Sequence, residues 1–94
     1  MSACVIGHIT IRDVDKWAQY RAKVPATLAP WDAELLFRGT CSDVFAGTHP
    51  YSDTVVIRFP DLAAMRGWYQ SAAYQALVPL REQAADVLLL GFEG

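Results

Sequence analysis

The sequence predicts an α+β fold of β-α-β-β-α-β order, a four-stranded antiparallel sheet with its helices on one face. Three observations predict it. Apolar residues run in four strand-like stretches, two of them with clear period-two alternation, and two further stretches carry apolar residues at helical spacing. The helical stretches fall after the first and third strands, while turn-forming residues alone join the second strand to the third. The order is the split β-α-β, or ferredoxin-like, pattern over a single domain, residues 1–94.

The first strand comes from "ACVIGHITIR": Ala3, Val5, Ile9 and Ile11 face one way, and Cys4, Ile6, His8 and Thr10 the other. Both faces are largely apolar, so both should be covered. "DVDKWAQYRAKV" reads as a helix with Asp13 as its N-cap and Asp15 in the first turn. Val14, Trp17, Tyr20, Val24 and Leu28 share one side of it; Pro25 should kink it and Pro30 end it. "AELLFRGTCSDVFAG" reads as a long second strand bent at Gly39, and "GTHPYSD" as the turn that follows. In the third strand, "DTVVIRFP", Val55, Ile57 and Phe59 oppose Val56 and Arg58. Pro60 and Asp61 end that strand and open a helix whose stripe is Leu62, Ala64, Met65, Trp68 and Tyr69. Ser71 is a second N-cap, starting "AAYQALVPLREQAAD", in which Pro79 should bend the helix or free a carbonyl. "VLLLGFEG" is the fourth strand. With the helices on one face, the other is left bare and carries Ile6, Leu36, Val56, Leu88 and Leu90, which a second copy of the chain would cover.

Composition narrows the function classes. The chain is 53% hydrophobic and 19% charged, which suits a folded globule rather than a disordered chain. Its net charge of −2 and the lack of a basic cluster argue against nucleic-acid binding. The longest apolar run, "VLLLGF", is too short to cross a membrane, and the start resembles no secretory signal, so the expected location is the cytoplasm. Cys4, Cys41, His8 and His49 make no metal-ligand spacing, and each thiol is expected to be a small buried apolar group. No cofactor motif is present.

"YRAKVPATLAPW", "FRG", "VVIRFPD", "WYQSAAYQALVPLR" and the closing "FEG" together resemble the family catalogued as domain of unknown function 1330, within the dimeric α/β-barrel superfamily. The resemblance covers nearly the whole chain. It implies a ferredoxin-like subunit whose sheet packs against that of a twin to form a barrel-like homodimer.

Polar residues in apolar company are the candidate site. Tyr74 and Arg81 share an arc with Leu77 and Val78, and Arg21 falls within the apolar arc of the first helix. A guanidinium there must brace the helices through a salt bridge, reach water, or capture an anion with its forked donors. By parity His8, Arg38 and Arg58 share the face of Ile6, Leu36 and Val56, where they would line a barrel interior or pair with acids across the dimer. Trp17, Tyr20, Trp68 and Tyr69 read as core. Three functions follow. The first is a homodimer that binds a small anionic or aromatic molecule through Arg21, Arg38, Arg58, Tyr74 and Arg81. The superfamily also suggests a cofactor-independent monooxygenase- or isomerase-like enzyme with His8 as base, and haem binding through His8 or His49.

Overall fold

A computed structural model describes all 94 residues, Met1–Gly94. Four strands, β1 (Ala3–Ile11), β2 (Glu34–Thr40), β3 (Asp53–Phe59) and β4 (Ala85–Glu93), form one antiparallel sheet in the order β2-β3-β1-β4. The helices are α1 (Val14–Leu28), α2 (Leu62–Gln70), α3 (Ala72–Gln75) and α4 (Val78–Ala84), with a 3-10 turn at Ala29–Trp31. This is the predicted ferredoxin-like α+β fold.

Local chemistry sets the helix ends. The Asp13 carboxylate accepts from the Lys16 N–H at 3.0 Å and the Asp61 carboxylate from the Ala64 N–H at 2.8 Å, each supplying an acceptor to an otherwise unpaired first-turn donor. Ser71 Oγ receives the Tyr74 N–H at 3.2 Å and opens α3. The predicted continuous last helix is two pieces: α3 stops at Gln75 and α4 starts at Val78. Pro79 therefore falls in the first turn of α4, where its missing N–H costs no helical hydrogen bond. Pro25, by contrast, lies inside α1, which continues to Leu28.

The core fills the space between helices and sheet. Ala3, Val5, Ile9, Ile57 and Phe59 point from β1 and β3 toward Trp17, Tyr20, Met65, Trp68 and Tyr74. Phe59, Trp68 and Tyr74 are the largest side chains removed wholly from solvent. The indole N–H of Trp68 donates to Thr27 Oγ1 at 3.0 Å, and that hydroxyl donates to the Val24 carbonyl at 2.7 Å, so α2 is tied to α1 without an unpaired buried donor.

Four expectations need correction. Tyr69, expected in the core, is 39% exposed. The second strand ends at Thr40, and the chain from Cys41 to Ser52 is an irregular loop closed by the Cys41 N–H donating to the Ser52 carbonyl at 2.7 Å. Cys41 in that loop is exposed and Cys4 half-buried, so neither thiol is a core group. The irregularity in β2 lies not at Gly39 but between Leu35 and Phe37, where the pairing shifts by one residue: Leu35 opposes Ile57, Phe37 opposes Val56 and Arg38 opposes Val55. Side chains alternate strictly along a strand, so one inserted residue exchanges the faces of everything beyond it. Phe37 thereby joins Val56 on the open face, and Arg38 moves to the helix-facing side with Val55.

Candidate functional site

The bulge decides which candidate residues face a common cavity. Between α1 and the helix-facing side of the sheet lies a cavity of about 730 Å³. Its apolar wall includes Ile9, Trp17, Val24, Leu35, Val55 and Leu89. Its polar lining is Tyr20 and Arg21 from α1, Arg38 and Thr40 from β2 beyond the bulge, and Asp53 and Thr54 from β3. Without the inserted residue, Arg38 and Thr40 would point away from it.

Arg21 and Arg38 are exposed residues that line this cavity, so they belong to its rim. Arg12 just after β1, Arg58 of β3 and Arg81 of α4 have partners: Arg12 meets Asp86 at 3.2 Å, Arg58 meets Glu34 at 3.3 Å, and Arg81 donates to Tyr74 Oη at 3.0 Å. Arg21 and Arg38 have no ion pair or side-chain hydrogen bond. Burial, and then the neighbouring Arg21 cation, press the Arg38 guanidinium below its ordinary pKa. Two like charges facing one apolar cavity favour an anion between them. Asp53, on the same rim, accepts from Thr40 Oγ1 at 2.9 Å and Ser52 Oγ at 3.3 Å.

Tyr74 and Arg81, expected on one arc, do meet, and the contact extends to Tyr20: the two phenol oxygens are 2.8 Å apart. Tyr74 has no solvent exposure, whereas Tyr20 borders the cavity. Burial first, and then Tyr74, raise the Tyr20 pKa well above that of an ordinary phenol, so its hydroxyl keeps its proton. Burial opposes the charge on Arg81, but the hydrogen bond to Tyr74 and the nearness of Tyr69 outweigh it, and Arg81 remains a donor. Tyr20 reads as core in the sequence and is buried in the core, and it also borders the cavity, which an apolar arc does not reveal.

The remaining candidates lie across the sheet. His8 opposes Thr54 on the open face, with its Nδ1 3.1 Å from Thr54 Oγ1 and its ring edge-on to His49 at 4.8 Å. Arg58 is on the same face, paired with Glu34. Arg38 therefore does not share a face with His8 and Arg58. The same face carries Ile6, Val56, Phe37, Leu88, Leu90 and Phe92, the last four exposed, while Leu36 is the inserted residue of the bulge.

A family model, Domain of unknown function (DUF1330), matches residues 2–94. The chain belongs to the DUF1330 family. No curated protein matches this DUF1330 chain. Among solved structures it is similar to RPA0582, a protein of unknown function from Rhodopseudomonas palustris, with a TM-score of 0.82 at 13% identity over 99% of this chain and 82% of that one. A dimeric ferredoxin-like protein of unknown function from Jannaschia sp. CCS1 gives a TM-score of 0.77 at 12% identity, with all of both chains covered. SnoaB, a cofactor-independent oxygenase from Streptomyces nogalater, gives 0.72 at 10% identity over 99% of this chain and 92% of that one. At these identities the likeness is one of fold, and it is the fold that the DUF1330 chain shares with them.

Proposed function

We propose that this protein is a homodimer that binds a small, apolar, anionic molecule in the cavity between α1 and the sheet. The observation that carries the reading is the pairing of an apolar chamber with Arg21 and Arg38, two guanidiniums on its rim that have no partner in the chain. The apolar wall takes a ring or chain body, and the forked donors of the two arginines take a carboxylate. Tyr74 and Arg81, the other inward pair, act from behind Tyr20 rather than at the ligand.

Self-association is supported by the open face, where Phe37 is 61% and Phe92 50% exposed beside Leu88 and Leu90. An apolar face of this kind in water calls for a cover, and the likeness to a dimeric ferredoxin-like protein suggests a twin sheet. His8 and Arg58 would then meet the partner. The enzyme reading in which His8 is the base is the weaker one, because His8 lies on the opposite side of the sheet from the cavity. The pairing of His8 with His49 lends no support to a haem ligand.

Titration with 2-naphthoate, followed by calorimetry or by quenching of Trp17, tests the ligand reading. Binding is expected, and Arg38→Ala should weaken it about 10-fold or more, as for the loss of a charge-assisted hydrogen bond. Equal affinity in the two proteins would refute a role for the arginine.

A further inference from the structure

The chain Arg81–Tyr74–Tyr20 has a direction, and the direction ends at the cavity. Arg81 can only donate, and its guanidinium N–H reaches Tyr74 Oη at 3.0 Å. Tyr74 Oη has one other partner, Tyr20 Oη at 2.8 Å, and Tyr20 Oη has none besides Tyr74. One arginine N–H and two hydroxyl protons thus serve two oxygens, and one hydroxyl proton is left over. If Tyr20 donated to Tyr74, the spare proton would be that of Tyr74, which has no solvent exposure and does not border the cavity. A buried donor without an acceptor is costly. If Tyr74 donates to Tyr20, the spare proton is that of Tyr20, a residue that borders the cavity, where a bound molecule could supply the acceptor. The second arrangement is the favoured one.

We propose that Tyr20 is a ligand-binding residue: its hydroxyl, oriented by Tyr74 and Arg81, donates a hydrogen bond to an oxygen of the molecule in the cavity. This rests on the ligand-binding reading and narrows it. The ligand carries an acceptor oxygen, carbonyl or carboxylate, directed at α1 and distinct from any group held by Arg21 and Arg38. A donor phenol that stays protonated suits a neutral carbonyl as well as an anion, whereas the two arginines favour the anion.

Two neutral probes of matched shape separate this from the arginine contacts: 2-acetylnaphthalene, which has a carbonyl oxygen, and 2-ethylnaphthalene, which has none. In the wild-type protein the acetyl compound should bind about 3- to 10-fold more tightly, the range of one neutral hydrogen bond. Tyr20→Phe should remove that preference and leave the affinity for 2-ethylnaphthalene unchanged. The wild-type comparison needs no variant, so it stands even if Tyr20→Phe folds poorly. If both probes bind the wild type equally, or if Tyr20→Phe keeps the preference, the donor role is wrong while the cavity reading survives. If neither probe binds, the donor role is wrong; if 2-naphthoate fails to bind as well, the cavity reading fails with it.

Discussion

The Tyr20 hydroxyl serves two ends at once, and this makes its titration informative. Its proton is held more tightly in the folded chain than in the unfolded one, where the phenol ionises near its ordinary value of 10.0. Below that pH the contribution to stability is whole. As pH rises above it, the unfolded state loses a proton that the folded state keeps, and stability falls. Tyr20 alone should impose a slope approaching about 1.4 kcal/mol per pH unit. Urea midpoints between pH about 9 and 11 should therefore fall less steeply for Tyr20→Phe than for the wild type. Parallel profiles would mean that Tyr20 is not buried against Tyr74 as described. His8, half-buried, hydrogen-bonded to Thr54 and stacked near Tyr51, is the candidate base of the alternative enzyme reading and sits away from the cavity.

At the scale of elements, caps and hydrophobic stripes were legible, and the interruptions were legible in part. Asp13, Asp61 and Ser71 could be recognised because a short polar side chain just before an apolar stripe is a local signal. The break before Val78 had a sign in Pro79, but whether a proline bends a helix or restarts one depends on what packs beneath it. Close approach between elements had no sequence sign at all. Gly67 in α2 lies against Trp31, and a Cβ there would run into the six-membered part of its indole ring. Alanine is the better helix former by about 1 kcal/mol, so an open site would gain stability from Gly67→Ala. Here the overlap should reverse the sign and destabilise by roughly 1–3 kcal/mol, as overpacking does. A higher unfolding midpoint in denaturant for the variant would refute the packing of α2 against the 3-10 turn.

For the molecule as a whole, the question is what covers the open face. Leu90 opposes Ile6 near the middle of that face. Leu90→Asp sets a charge there that water tolerates and an apolar interface does not, at a cost of several kcal/mol per buried unpaired ion. Sedimentation should give a dimer for the wild type at micromolar concentration and a monomer for the variant. A monomeric wild type would remove the dimer from the proposal and leave the cavity, on the far side of the sheet, untouched. Element order, the two-sided apolar character of β1 and the family membership were decided by the sequence itself, because periodicity, capping and composition are local properties written residue by residue. The tertiary structure decided which of the candidate residues share the cavity. A bulge of one residue at Leu36 sends Arg38 to the cavity with Arg21 and leaves His8 and Arg58 behind, and the hydrogen bond between Tyr74 and Tyr20 is what underlies the donor role proposed for Tyr20. Both depend on which strand or helix lies opposite, which strand parity and helical arcs do not encode.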